Sequence, residues 1–395
     1  MASNTSTKRG PTYALSPALS ATTTNSVSPA LSAFDPVTSG LSSANTTVPP
    51  SPGKEKTNPF ALTGPAIGLD SRYDLKELER RVRDGQGRKV ETWGHRGASA
   101  AFPENTLASF AKACEDGADG IETDIHMTRD NQLVMFHDPE LSRTTNGKGK
   151  IHTLPWEGVI EHVRTIAEPH QPIPLFSDVL DLLMQPANMH VKLNIDCKVE
   201  NDPHRLFPMI RDELSKFEHW QTLLAPRLIL GIWHPKFIKP AQIHLPFLPR
   251  YAICMSVPTV REYFFTQCDG FSMYFPTLLS MEGEEFRREC AMRGKKITVW
   301  TVNKESEMKE CLRWGVQAVI TDKPDVTVGL VKQVERDPTA LLSSYLEQLV
   351  LPWSSLKYYS FAHRHEAKKE HDYLEREGGA FDGAELDERV PALSA

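Results

Sequence analysis

The residues of this chain that are suited to chemistry lie close together, between positions 93 and 138. This stretch includes the histidines His95 and His137, together with Arg96 and a pair of carboxylates. Histidine exchanges protons near neutral pH, and two adjacent carboxylates need either a cation or a shared proton. We therefore expect the rest of the chain to act mainly as a scaffold for this stretch.

Three predicted strands carry these residues. The first, VETWGH, ends in the turn GHRG at residues 94–97, whose glycines permit a sharp bend or a close approach to a ligand. The second is GIETDIHM, in which side-chain alternation places Glu122 and Asp124 on one face, so that they can converge on one point. The third, QLVMFHD, delivers His137 and Asp138 at its end.

Two later segments add further candidates. In HVKLNIDCKVE, alternation places Asp196 and Lys198 on one face, so their side chains point the same way. In KITVWTV, Trp300 shares a strand face with Thr298. We expect this tryptophan either to close over a bound ligand or to pack as an aromatic core residue.

Strand and helix patterns alternate from residue 90 to residue 335, which is typical of an α/β fold. Eight strands are predicted near residues 91, 120, 192, 229, 252, 271, 298 and 318. This count predicts a (β/α)8 TIM barrel, with QLVMFHD as an extra hairpin on the second strand and residues 139–174 as an inserted loop region. The candidate residues fall near the carboxyl ends of barrel strands, where TIM barrels place their active sites.

The motifs, taken in order, resemble those of the glycerophosphodiester phosphodiesterase family. The GHRG turn is followed by Pro-Glu-Asn-Thr at 103–106, Glu-x-Asp at 122–124 and His-Asp at 137–138. The resemblance spans about residues 90–330, the size of one barrel, and it recurs in DCK, VWTVN and ITDKP. It implies a phosphoric diester hydrolase.

The resemblance also implies a metal site. Glu122, Asp124 and Asp196 would hold a divalent cation, and hard oxygen ligands without thiolate or imidazole indicate Ca²⁺ or Mg²⁺. Much of the family has glutamate where this chain has Asp196. The shorter side chain is expected to weaken the metal site or to let a water molecule bridge the gap.

The remaining roles are implied in the same way. His95 and His137 would act as general acid and general base, in an order that the sequence leaves open. Arg96 and Lys198 would face the phosphate of the substrate.

The resemblance suggests a substrate class as well. Asp-x-Lys and VWTVN are similar to the fungal phosphatidylglycerol-specific phospholipase C branch, which implies cleavage of phosphatidylglycerol to diacylglycerol and glycerol 3-phosphate. Two alternatives stay open: hydrolysis of water-soluble glycerophosphodiesters to glycerol 3-phosphate and an alcohol, and a catalytically inactive phospholipid-binding barrel. Retention of every catalytic residue type counts against the inactive barrel.

Three segments lie outside the predicted barrel. Residues 1–69 are rich in Ser, Thr, Ala and Pro and are expected to be disordered, because such a composition buries too little apolar surface. Residues 70–89 are predicted to form an amphipathic lead-in helix. Residues 336–395 are expected to form a helical and polar extension, which either packs on the barrel or makes peripheral contact with a membrane.

Composition excludes several classes of protein. A net charge of −6 argues against nucleic-acid binding, which needs concentrated positive charge. The six cysteines lack CxxC spacing and are typical of reduced core residues. No signal peptide or transmembrane segment is recognisable, so we expect a cytoplasmic protein or one that is peripheral on intracellular membranes.

Overall fold

The structure, a computed structural model, describes residues 89–341 and 362–381. The predicted disordered tail at 1–69 lies outside the described residues, as does the lead-in helix at 70–89 except for its last residue. Within the predicted C-terminal extension, residues 362–381 and the first six residues are described.

One sheet closes into a barrel. In the described part of the chain its strands are β1 (Glu91–His95), β2 (Gly120–Met127), β3 (Leu133–Met135), β4 (Lys192–Cys197), β5 (Leu228–Ile232), β6 (Arg250–Cys254), β7 (Gly270–Tyr274), β8 (Lys296–Trp300) and β9 (Ala318–Thr321). Because β1 pairs in parallel with both β2 and β9, eight parallel strands form a closed ring. Strand β3 pairs antiparallel with the end of β2 as a hairpin. The predicted (β/α)8 TIM barrel is confirmed.

Helices alternate with the strands around the barrel. They are α1 (Leu107–Glu115), α2 (Phe176–Leu183), α3 (Pro203–Leu214), α4 (Trp220–Leu223), α5 (Ile238–His244), α6 (Val257–Tyr263), α7 (Phe275–Leu279), α8 (Met281–Met292), α9 (Glu305–Trp314) and α10 (Pro324–Arg336). Helix α1 begins directly after Thr106, which exchanges side-chain to backbone hydrogen bonds with Ser109 in a capping box. The sequence did not predict α4 and α7, which are too short to show a helical periodicity.

Side-chain alternation along the strands separates the core from the site. Outward-facing residues such as Ile121 pack beneath the helices in the main core. A second cluster, which includes Trp93 and Tyr251, fills the barrel interior. Strand β2 places Glu122 and Asp124 beyond this cluster, because Trp93 is level with Gly120 across the β1–β2 pair. The polar site therefore rests on a packed apolar floor.

The predicted insertion at 139–174 lies between β3 and α2. It is built from short 3₁₀ turns and isolated β-bridges. Its apolar residues, among them Leu141, Ile151 and Ile160, are buried in a small core of their own together with Phe136. This core gives the insertion a fixed conformation beside the carboxyl end of β3.

One further helix, α11 (Ala362–Gly378), follows the barrel. The segment after it is anchored to the barrel: a ring nitrogen of His234 lies 3.0 Å from the carbonyl oxygen of Gly379. The ring of Phe381 packs on the same histidine, with ring centroids 4.4 Å apart. A Cβ atom at Gly378 would lie 2.6 Å from that imidazole, so the close approach of α11 requires glycine.

Two further properties bear on the environment of the protein. None of the helices in the described ranges combines the length and the apolar character needed to cross a bilayer. The six cysteines are all free, and five of them are buried, as expected for reduced core residues. Burial raises the pKa of the Cys254 thiol to about 12, which keeps that thiol protonated.

Candidate active site

All eight residues singled out from the sequence line one cavity at the carboxyl ends of the barrel strands. They are His95, Arg96, Glu122, Asp124, His137, Asp196, Lys198 and Trp300. The cavity has a volume of about 420 Å³. Its lining comes from elements far apart in the sequence, so barrel closure is what assembles the site.

His95 is oriented by a carboxylate from the other end of the barrel sequence. Its Nδ1 atom lies 2.7 Å from Oδ1 of Asp322, which directly follows β9. Ser99 and Asn303 also donate hydrogen bonds to Asp322. Burial opposes ionisation of Asp322, but these hydrogen bonds, led by that of His95, lower its pKa. Because an ionised carboxylate only accepts, Nδ1 of His95 carries the proton and Nε2 is left as the basic nitrogen.

His137 is oriented in the same way by its neighbour. Its Nδ1 atom lies 2.6 Å from Oδ1 of Asp138. Asp138 in turn forms an ion pair with Arg143, which the insertion supplies, and Arg143 also binds Glu104. Burial and the charge of Lys198 lower the pKa of His137, so this imidazole is neutral near pH 7.

The three predicted metal ligands converge. Asp124 and Asp196 are paired in register across β2 and β4, and Glu122 precedes them on the same face of β2. All three are buried, and one oxygen from each lies within 4.8 Å of the others. The indole nitrogen of Trp233 donates to Asp196 at 2.9 Å, so the shorter aspartate is held in place within the cluster.

Two cations adjoin this cluster. The ammonium of Lys198 lies 2.6 Å from Oδ1 of Asp124 and 2.8 Å from Oδ2 of Asp196. Arg96 reaches Asp124 at 3.4 Å and Glu104 at 2.9 Å. The sequence shows that these cations are near the acids but not that Lys198 bridges two of them. Their contact with a substrate phosphate stays a prediction.

The charges make the three carboxyl groups unequal. Burial, followed by repulsion from Asp124, raises the pKa of Glu122 well above its usual value. Burial also raises the pKa of Asp196 to about 6, despite the adjacent Lys198. Burial acts on Asp124 in the same sense, but Lys198 and further positive groups outweigh it and lower the pKa well below its usual value. The three carboxyl groups of this one buried cluster therefore differ in how readily they ionise.

Two residues of the site adopt backbone conformations that are unusual for side-chain-bearing residues. Arg96 has φ of 54° and Asn105 has φ of 56°, both in the left-handed region. The conformation of Arg96 directs its backbone amide to Glu122 at 3.0 Å. The side-chain amide of Asn105 donates to Asp124 at 2.6 Å. Strain of this kind persists where the surrounding contacts fix it, as at catalytic sites.

Comparison with known proteins identifies the family. Residues 95–326 match the model of the glycerophosphoryl diester phosphodiesterase family. The chain belongs to this family. It is accordingly a phosphoric diester hydrolase.

Relatives from several organisms resemble this family member over most of their own length. A glycerophosphodiester phosphodiesterase of Bacillus altitudinis is 29% identical over 255 residues, covering 62% of this chain and all of the relative. A lysophospholipase D of Rattus norvegicus is 23% identical, covering 58% of this chain and 82% of the relative. A solved phosphodiesterase of Oleispira antarctica, in complex with sn-glycerol-3-phosphate, shares the fold with a TM-score of 0.51 and 22% identity, covering 60% and 95% of the two chains.

The residues fit the divalent cation on which this phosphodiesterase family depends. The donor set consists of three buried carboxylates whose oxygens converge, which suits a hard cation such as Ca²⁺ or Mg²⁺. The buried side-chain amide of Asn194 lines the same cavity and has no hydrogen-bond partner within the described residues. It offers one more oxygen to the site, and the sequence analysis did not select it.

Other residues of this phosphodiesterase site were also missed. Glu104 and Asn105 belong to a recognised motif, but their contacts with Arg96 and Asp124 depend on the fold. Asp322 lies in the recognised ITDKP motif, where its spacing from His95 gives no sign of pairing. For Trp233 the sequence holds no signal apart from its position just beyond a strand.

Proposed function

We propose that this protein hydrolyses water-soluble glycerophosphodiesters to glycerol phosphate and an alcohol. The observation that carries the proposal is the pair of histidines, each bound through Nδ1 to a carboxylate, in one cavity with three converging acids. The relative from Bacillus altitudinis bears the name of this activity, and the Oleispira antarctica enzyme is described with the product sn-glycerol-3-phosphate. Both support this substrate class.

Proton transfer by the two histidines accounts for the chemistry. The glycerol hydroxyl next to the phosphate attacks phosphorus while one histidine accepts its proton, and the other donates a proton to the departing alcohol oxygen. The resulting cyclic phosphate is opened by water, with the two histidines in exchanged roles. The first step is favoured because nucleophile and phosphorus belong to one molecule and are already oriented.

The positive charges of the site are suited to binding a phosphate. Glu122, Asp124 and Asp196 would hold a divalent cation, which would supply Lewis-acid stabilisation to the phosphate. Arg96 and Lys198 add fixed positive charge beside it. Because Glu104 and Asp124 hold the guanidinium of Arg96, this charge needs little reorganisation during the reaction.

Phosphatidylglycerol is a second candidate substrate. It is favoured by the apolar side chains in the cavity lining, which include Val199, Ile253, Met255 and Leu374. Its head group carries a free hydroxyl next to the phosphate, so the same attack would expel diacylglycerol. Phosphatidylcholine and phosphatidylethanolamine lack such a hydroxyl and are expected to resist cleavage. Residues 353–361, part of the C-terminal extension for which membrane contact was one alternative, lie outside the described residues.

A substrate panel separates these candidates. We expect the purified protein to release glycerol phosphate from glycerophosphocholine faster than from phosphatidylglycerol liposomes, with phosphatidylcholine liposomes as the negative control. Cleavage of phosphatidylglycerol alone would replace the first proposal by the second. Failure on every diester, by folded protein supplied with Mg²⁺ or Ca²⁺, would favour the inactive phospholipid-binding barrel.

A further inference from the structure

Helix α11 forms one wall of the catalytic cavity. Glu370, Tyr373 and Leu374 line the same cavity as the two histidines and the carboxylate cluster. The helix lies beyond residues 95–326, which the family model covers. This wall is therefore supplied by a part of the chain that the family model does not cover.

The position of the wall is fixed by specific contacts. The hydroxyl of Tyr373 donates a hydrogen bond to Glu200, which lies two residues after Lys198. At the end of the helix, Phe381 packs against Tyr263 with ring centroids 5.3 Å apart, in addition to its contact with His234. These contacts hold the helix across the site, so its side chains have a defined relation to a bound substrate.

One acid of this wall, Glu370, shares the cavity with the aromatic rings of Trp233 and Trp300. Glu370 is half-buried. Its carboxylate forms no hydrogen bond or ion pair with another described residue, although the charge of Lys198 acts on it. Trp233 lines both the main cavity and a smaller one beside it, and Glu370 lines both as well. The ring of Trp233 meets that of Trp300 edge to face at 5.6 Å. The cations of the cavity lining, Arg96 and Lys198, are both paired with other carboxylates.

We propose that Glu370, together with Trp233 and Trp300, binds a positively charged group on the alcohol portion of the diester. A carboxylate beside aromatic faces attracts an ammonium or quaternary ammonium group through its charge and through cation–π contact. This inference rests on the proposed diesterase function. It narrows the substrate class to glycerophosphodiesters whose alcohol portion carries a positive charge. Glu370 contributes to substrate binding, whereas the histidines transfer protons during the reaction at the phosphate.

Two diesters that differ only in charge test the proposal. Glycerophosphocholine carries a trimethylammonium group, and the 3,3-dimethylbutyl ester of glycerol phosphate replaces that group by a neutral tert-butyl group of similar shape. We expect kcat/KM of the natural protein to favour the choline ester by about tenfold. Glu370→Gln should bring the ratio close to one. Glu366→Gln, which changes an exposed acid on the same helix, should leave the ratio unchanged.

The outcomes distinguish this proposal from the proposed function. Equal use of both esters by the natural protein, or an unchanged preference in Glu370→Gln, would overturn the role of Glu370 while leaving diesterase function intact. If neither ester is hydrolysed, the proposed function fails. The role of Glu370 is then tested separately, by calorimetric measurement of ligand binding. Choline must then bind more tightly than 3,3-dimethylbutanol to the natural protein, with the difference lost in Glu370→Gln. No such difference would also overturn the assignment.

Discussion

The two histidines of the site are each oriented by a carboxylate. Asp322 binds Nδ1 of His95, and Asp138 binds Nδ1 of His137. Each contact fixes the ring and leaves Nε2 as the nitrogen available for proton transfer. The lowered pKa of His137 suits it to the role of base in the first step, because its unprotonated form persists near neutral pH.

This arrangement predicts a loss of turnover when either histidine is removed. His95→Ala and His137→Ala should each reduce kcat by at least about 100-fold, the usual contribution of a positioned acid or base. His162→Ala, which changes an exposed histidine on the insertion, should have no effect. Glycerol phosphate release under saturating substrate measures all three. A normal rate in either site variant would remove that histidine from the mechanism.

The lowered pKa of His137 leads to a prediction about the pH dependence of activity. Burial and Lys198 lower this pKa below the ordinary value of 6.5. If His137 is the base, activity falls only when it becomes protonated, so the acid limb of kcat/KM should lie below pH 6.5. A pH profile in the presence of the metal ion measures this limb. An acid limb at or above that pH would assign it to another group.

At the scale of elements, the GHRG turn connects β1 to the site. Gly97 has φ of 85°, and a Cβ atom there would lie 2.5 Å from the backbone of Ser109. The sequence indicates that glycine is needed here, but not which backbone it approaches. That partner is the capping box of α1, so the turn and the first helix are packed as one unit.

Substitution of this glycine should therefore be costly. Gly97→Ala adds the overlap with Ser109 to the cost of a left-handed conformation, and we expect a loss of at least about 3 kcal/mol in the free energy of unfolding. Gly158→Ala is the matched control, because its φ is 75° but its Cβ would meet nothing within 4 Å. It should cost only about 1 kcal/mol. Urea unfolding compares them, and equal losses would contradict the packing argument.

Local patterns predicted much of this structure and failed where contacts are distant in sequence. Alternation placed Glu122 and Asp124 on one face, and the count of strands gave the barrel. The bond between His95 and Asp322 spans 227 residues, and it arises only because β1 and β9 become neighbours on closure. The same reason hid the ion pair of Lys198 with Asp124 and the contact of Tyr373 with Glu200. Periodicity predicts on which face of an element a side chain lies, but not which residues it contacts there.

At the scale of the whole molecule, the site is assembled from the barrel, the insertion and α11. No candidate site residue was selected from residues 1–69, and none of the described residues that line the cavity comes from before His95. We therefore expect a variant that lacks residues 1–69 to keep its kcat on a soluble diester. A large loss of kcat in correctly folded protein would show that the removed segment contributes to the site.

We expect hydrolysis to require a divalent cation that the three carboxylates bind. The test is glycerol phosphate release from a soluble diester, measured with chelator and then with Mg²⁺ or Ca²⁺ restored. The natural protein and the surface variant Glu157→Gln should lose activity in chelator and regain it with the ion. Glu122→Gln, shown to be folded by circular dichroism, should stay inactive throughout. Normal turnover by Glu122→Gln in chelator would show that hydrolysis needs no cation bound by these carboxylates.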